Sequence, residues 1–266
     1  MKTVAERLSE ADKSTAPILC RHLAVYEYTQ QFVKDKTVLD LGCGEGYGTA
    51  LLARYAKKVI GVDYSARTIK KAQETYACDN LEFVCGSIDR IKLENESFEV
   101  ISAFQLIEHL PKPEVFLSRV KNWLKSEGLF FLSTPNKKSS IIQHPYHFRE
   151  YYKEELEPLL KIYFSKVELF GLRFSPKVAA FREKRKRESQ RVLQVDPLKL
   201  HLLLPRFIRQ KIFDLIAAKL SRKIHLENQD LIEGITTGDY WISREDIDLA
   251  VDLVCISKNQ PTATSA

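Results

Sequence analysis

The sequence predicts an α/β fold in which a seven-stranded, mostly parallel sheet carries helices on both faces. Three observations point to it. Short apolar runs rich in β-branched and aromatic residues alternate with segments whose apolar spacing is near 3.6, the pattern of right-handed βαβ crossovers. Four of the chain's 10 glycines, Gly42, Gly44, Gly46 and Gly48, fall between one such run and the next helical segment. Finally, 266 residues with 44% hydrophobic and 29% charged side chains suffice for one large α/β domain with an elaboration.

The elements follow in order. An N-terminal helix is expected over about 18–33. The runs "TVLDLG", "KVIGVD", "LEFVCG", "FEVISAF" and "GLFFLST" read as strands. Between them "YGTALLARYA", "ARTIKKAQETYA" and "PEVFLSRVKNWLKSEG" read as helices, the last closed by Gly128. "FSKVELFGLRF" and "IDLAVDLVCISK" complete the seven strands. The expected organisation is a core of residues 1–174 and 241–258, a helical basic insertion over 175–240, and a disordered tail over 259–266.

Charge and cysteine content narrow the function. The net charge of +6 is uneven: residues 176–225 hold 14 Lys/Arg against 4 Asp/Glu, so this segment is set apart. The five cysteines show no CxxC pair or zinc-like spacing, which reads as reduced and mostly buried thiols. The first residues lack an apolar signal core and no run approaches the roughly 20 apolar residues of a membrane span. A cytoplasmic protein is expected, with the inner membrane face as a site of peripheral contact if the basic segment meets lipid.

A strand that turns at once into a helix needs residues tolerant of positive φ, without a side chain where a ligand presses on backbone. The loop does not match GxGxxG, because Tyr47 stands where the third glycine belongs, and no Gly-Lys-Ser/Thr follows for a phosphate loop. What remains is a ligand lying flat over the strand end at the carboxyl edge of the sheet. Asp63 ends the second strand in "VIGVDYS", where a carboxylate can accept from both hydroxyls of a ribose diol. The competing reading of Asp63 is an N-cap of the next helix.

In order and spacing, "VLDLGCGEGYG", "GVDYS", "LEFVCGSID", "FEVISAFQLIEHL" and "GLFFLSTPN" resemble the motifs of class I S-adenosylmethionine-dependent methyltransferases, whose fold is Rossmann-like. The similarity covers roughly residues 20–172 and 240–258. "HLAVYEY", "IEHL", "STPN" and "HPYHFREY" are similar to a bacterial branch associated with glycan and cell-envelope biosynthesis. The resemblance implies S-adenosylmethionine as cofactor. Asp40, Gly42, Gly44 and Gly46 would lie against its methionine part, and Asp63 and Tyr64 would hold and flank the ribose and adenine. Ser87 and Ile88 would lie beside the adenine with Asp89 close by, and Phe104 and Gln105 near the sulfonium. Most relatives carry Asp where this chain has Ser87, so Asp89 or backbone would supply the contact to the adenine amino group.

Methyl transfer to a hydroxyl needs alignment, desolvation and a proton acceptor. Candidate catalytic groups lie in "QLIEHL" (Glu108, His109) and "HPYHFREY" (His144, His147, Glu150); His109, His147 and Glu108 are the ones favoured. Each His also has a structural reading, as a residue that positions its loop. Some related methyltransferases bind a divalent ion through Glu-x-x-Glu-His and a distant His. Here Gln105 replaces the first Glu, which weakens a hard-cation site, and no metal is expected.

"RFIRQKIFDLIAAKL" places apolar residues on one helical face, and "FREKRKRESQR" is a cationic run. The insertion reads as a lid over the acceptor, a helix docking on anionic lipid, or a nucleic-acid contact; its apolar face argues against the last. The expected function is S-adenosylmethionine-dependent methyl transfer to a hydroxyl of a sugar or lipid-linked intermediate. RNA-terminal or quinone-precursor O-methylation stands as the alternative. A third reading, of another class, is a non-catalytic cofactor-binding protein that docks a partner.

Overall fold

The computed structural model describes residues 16–140, 144, 146–193, 208, 210, 211 and 229–260. The chain divides into two compact units, one made of residues 25–139, 148–173 and 242–266, the other of 1–24, 140–147 and 174–241.

The first unit is built on a sheet whose strands are β1 (Thr37–Leu41), β2 (Lys58–Asp63), β3 (Leu81–Cys85), β4 (Phe98–Phe104), β5 (Leu124–Pro135), β6 (Lys166–Phe174), β7 (Tyr240–Ser243) and β8 (Asp252–Lys258). Their order is β3-β2-β1-β4-β5-β8-β6-β7. Strands β1 to β5 are parallel, and β8 runs antiparallel between β5 and β6. The Rossmann-like fold is as expected, with eight strands rather than seven. The extra strand, β7, is four residues long and too short to carry a period of its own; it carries the chain from one unit into the other.

Central strands β1 and β4 are buried along nearly their whole length, as strands covered on both faces must be, hence their continuous apolar runs. Helices α1 (Ala16–Thr29), α2 (Tyr47–Ala53), α3 (Ala66–Thr75), α4 (Pro113–Trp123) and α5 (Lys153–Lys161) follow. Leu39, Ile101 and Leu132 from the sheet pack with Phe116, Trp123 and Leu156 from the helices in one core. Helix α5 carries an internal Pro158, which hides it from a reading that takes proline as a breaker.

Two expectations are corrected. Gly128 does not close α4. The helix ends at Trp123, and Leu124 is already paired with Phe98 in β5. The strand then leaves its register between Phe98 and Val100, with Glu127 at φ 63. Glycine is needed at 128 because a Cβ there would stand 2.9 Å from the Lys125 carbonyl oxygen. Asn259, expected within a disordered tail, is part of the folded unit. Asn259 is buried, and its amide donates to the carbonyls of Lys121, Leu124 and Lys125, tying the last strand to the α4–β5 junction. Residues 261–266 lie outside those described.

The second unit contains α6 (Pro176–Leu193), which carries the cationic run, and α7 (Gln229–Glu233). Asp239 gathers this unit's turns: Ser175 Oγ donates to it at 2.8 Å and the Thr236 N–H at 2.9 Å. Tyr240 donates its hydroxyl to the Pro17 carbonyl at 2.8 Å. On α6, the Arg182 and Arg185 guanidinium groups lie over the rings of Phe174 and Phe181, while Lys184, Lys186 and Arg187 are exposed. Most of "RFIRQKIFDLIAAKL" lies outside the described residues. Among the described residues no helix is long and apolar enough to cross a membrane.

Candidate active site

The order of strands reverses between β1 and β4, and the glycine loop leaves the carboxyl end of β1 at that point, where open α/β sheets bind their ligands. The loop is pinned to β2: the N–H groups of Gly42 and Cys43 both donate to the Val62 carbonyl, at 2.7 and 3.1 Å. Gly42, Gly44 and Gly46 have φ of 75, 56 and 87°, so all three use the freedom that only glycine has at low cost.

Their surroundings differ. A Cβ on Gly46 would come 2.6 Å from the Phe83 ring, and one on Gly42 3.1 Å from Leu106. A Cβ on Gly44 would meet nothing within 4 Å. Gly44 is therefore the position where the loop presents bare backbone to open space. Gly48 has another purpose: a Cβ there would stand 2.2 Å from the ring of Tyr26. The four glycines thus answer three demands: the turn itself, an open cradle, and room for one aromatic ring.

Asp63 stands at the mouth of the loop. Its carboxylate accepts from the Ser65 N–H at 2.8 Å and from the Gly44 N–H at 3.3 Å, which ties the end of β2 to the cradle. The N-cap of α3 is Ser65, whose hydroxyl oxygen accepts from the Thr68 N–H. The capping reading of Asp63 is therefore overturned. Tyr64, next in sequence, presents a half-exposed ring.

After β3, Ser87 and Asp89 are exposed and Ile88 is half-buried against the core. The Ser87 carbonyl accepts from the N–H groups of Arg90 and Ile91, which shapes a turn at the same carboxyl edge.

Two of the expected cofactor-site residues have buried side chains. Asp40 is 0% exposed, lying in β1 beneath the loop. Its carboxylate accepts from Thr49 Oγ1 at 2.6 Å, Ser102 Oγ at 2.7 Å and the Tyr26 hydroxyl at 3.1 Å. Burial holds this carboxyl above the usual carboxylate range, and the three hydroxyl donors pull the other way. Phe104 is the last residue of β4, buried, with its ring edge-on to Tyr26 at 4.7 Å. Strand alternation turns its side chain inward, so only its backbone belongs to the open edge.

Gln105 follows with φ 52, an uncommon value for a residue with a side chain. Its N–H donates to the Ser133 carbonyl at 2.8 Å and its amide nitrogen to Ser133 Oγ at 3.3 Å, anchoring it to β5.

Glu108 and His109 lie on a short 3-10 turn after β4, Ile107–His109. Glu108 is 1% exposed and accepts from Thr134 Oγ1 at 2.9 Å, while its other carboxylate oxygen lies 4.0 Å from His109 Nε2. His109 keeps 17% of its side chain exposed. The Glu108 carbonyl accepts from the N–H groups of Phe148 and Arg149, at 2.7 and 3.3 Å. That pins the segment after β5, with its half-exposed Phe148, to the turn that carries Glu108 and His109. His147 immediately precedes Phe148 in the chain but falls in the other unit, where its ring stacks on His144 at 4.6 Å.

Tyr26, Thr49 and Ser102 were not singled out by sequence. Ser102 had a usable signal: a hydroxyl inside the apolar run "FEVISAF" must find a buried partner. Tyr26 had none of its own, because "HLAVYEY" falls in the expected N-terminal helix and does not show what a tyrosine hydroxyl there would meet.

Residues 39–132 match a family model described as a methyltransferase domain. A Mycolicibacterium smegmatis protein named "Probable S-adenosylmethionine-dependent methyltransferase" is 34% identical over 146 residues, 53% of this chain and 56% of that protein. A Coxiella burnetii protein named ubiquinone biosynthesis O-methyltransferase is 32% identical over 114 residues, 42% of this chain and 49% of that one. The chain spans about half the length of the curated relatives it matches. Among solved structures, the Haemonchus contortus phosphoethanolamine N-methyltransferase 2 superposes with a TM-score of 0.58 at 16% identity, covering 91% of this chain and 53% of that one. That likeness is one of fold. Over residues 39–132 the chain is similar to a methyltransferase domain, and the Mycolicibacterium smegmatis relative is named for S-adenosylmethionine.

Proposed function

We propose that this chain is an S-adenosylmethionine-dependent methyltransferase acting on a hydroxyl of a sugar or lipid-linked intermediate. The observation that carries the reading is the cradle: Gly44 offers bare backbone to open space, and its N–H is bonded to Asp63 at the end of the neighbouring strand. A ligand with a ribose diol at one end and an amino acid at the other fits a carboxylate beside a side-chain-free loop. Tyr64, half-exposed, would flank the base, with Ser87, Ile88 and Asp89 at the same edge. Asp40 supports the loop from below.

When bound, the cofactor supplies a methyl carbon already activated by its sulfonium, so the leaving group needs no help. The protein's task is to align the acceptor oxygen with that carbon and to take its proton as the carbon–oxygen bond forms. His109 is the group for this. Its imidazole is partly exposed on the turn after β4, and a neutral imidazole suits a base acting near pH 7. Buried Glu108 orients the turn and faces the imidazole. His147 is the second candidate, since the residue after it is tied to Glu108.

Phe148 and Tyr152 present half-exposed rings in the segment after β5, with the Lys137 ammonium over the Tyr152 ring at 4.5 Å. An apolar, cation-flanked surface of this kind suits an acceptor with both apolar and polar parts. The basic insertion, of which α6 is described, would cover the acceptor as a lid, and its exposed lysines would allow peripheral contact with an anionic membrane from the cytoplasm. The Coxiella burnetii relative favours a second reading, O-methylation of a quinone precursor.

Purified protein incubated with methyl-labelled cofactor and fractionated lysate is expected to label an aqueous glycan or a lipid-linked glycan fraction. Label in a quinone-containing lipid fraction would select the second reading. Tight cofactor binding with no label transferred to any fraction would leave the cofactor-binding, partner-docking reading.

A further inference from the structure

We infer that Tyr26 is a positioning residue for the cofactor loop, acting on it through the buried carboxylate of Asp40. The inference rests on the proposed cofactor site and deepens it. One side chain on α1 touches the strands and the helix that frame that site. Its hydroxyl faces both oxygens of Asp40, at 3.1 and 3.3 Å. Its ring packs edge-on against Phe104 at the end of β4 and, at 6.2 Å, against Tyr47 at the start of α2. Gly48, the second residue of α2, is side-chain-free where that ring passes.

Asp40 is the hub of this contact. It pairs with Gly61 of β2 and Ser102 of β4, and lies two residues before Gly42, where the loop begins. A buried carboxylate is held in place by its donors, and three hydroxyls from α1, α2 and β4 converge on this one. Thr49 and Ser102 come from the elements that flank the loop. Tyr26 comes from α1, earlier in the chain than the loop and its flanking elements. Withdrawing the Tyr26 hydroxyl leaves the carboxylate held from two sides only, free to shift in the direction that sets the height of Gly42 and Gly44.

The test is a double-mutant cycle read by calorimetric titration of the full chain with S-adenosylhomocysteine, with melting temperature recorded for each variant. Tyr26→Phe keeps the ring and removes the hydroxyl. It is expected to raise Kd about tenfold, the scale of a lost hydrogen bond to a charged group. Asp40→Asn should raise Kd at least as much. The double variant should bind no more weakly than Asp40→Asn alone, because Tyr26 acts through that carboxylate. A Kd for Tyr26→Phe within twofold of wild type overturns the inference whatever happens to the melting temperature, since a purely structural tyrosine would lower melting alone. Multiplicative losses in the double variant overturn it as well. If Tyr26→Phe does not fold, Ser102→Ala, which removes another donor to the same carboxylate, takes its place in the cycle under the same criteria. A wild-type chain that does not bind the probe instead retires the proposed function.

Discussion

Gly46→Ala is expected to destabilise the protein by about 2–5 kcal/mol, while Gly44→Ala two residues earlier costs only about 1–2 kcal/mol. Both positions have positive φ, so both substitutions incur the left-handed backbone penalty. Only at Gly46 does the added methyl collide, 2.6 Å from the Phe83 ring and 3.0 Å from the Ala72 Cβ. Phe83 and Ala72 are buried together with Cys43 and Ile69, so the ring cannot swing away without opening that cluster. A loss of this size is a large share of the roughly 5–15 kcal/mol that holds a domain folded, and it should lower the melting temperature by about 10 °C. The Gly44 variant should melt only a few degrees below wild type yet bind cofactor poorly, because its methyl occupies the open side of the cradle. Thermal melts and cofactor titration of both variants check the pair; a Gly44 variant that melts lower than the Gly46 variant would reverse the assignment of their roles.

The second large effect is on turnover. His109→Ala is expected to lower methyl transfer about 10²-fold or more, the scale of a lost general base, with cofactor affinity nearly unchanged. A sugar hydroxyl is far too weak an acid to ionise before attack, so the proton must leave as the new bond forms. His109 sits on the turn that follows β4, beside Glu108. The assay is single-turnover transfer from labelled cofactor into the acceptor fraction, run with and without a chelator. Near-wild-type turnover in the chelator would remove His109 from the chemistry and leave His147 as the candidate base.

The sheet and the loop were legible in the sequence because both write themselves locally. Five parallel strands coincide with five apolar runs, and glycines at every second position announce a turn of positive φ. What escaped depends on contacts distant in sequence. Gly48 looked like a fourth loop glycine, but the ring it accommodates belongs to Tyr26, 22 residues earlier. Gly128 looked like a helix cap because glycine commonly ends helices, whereas here it avoids the Lys125 carbonyl inside a strand irregularity. Asp63 and Ser65 both have the residue type of an N-cap, and only the geometry shows that Ser65 takes that role and leaves Asp63 to the loop. Asp40 lies two residues before Gly42, with its carboxylate buried. A sequence does not show on which face of a fully covered strand a carboxylate lies.

The most telling measurement is calorimetric titration of S-adenosylmethionine into the full chain and into Asp63→Ala. Binding to the wild-type chain is expected, with the variant weakened by about 1.5–3 kcal/mol, the worth of hydrogen bonds to a charged group. No binding to the wild-type chain, or wild-type affinity in Asp63→Ala, would contradict a cofactor held between the glycine cradle and the end of β2.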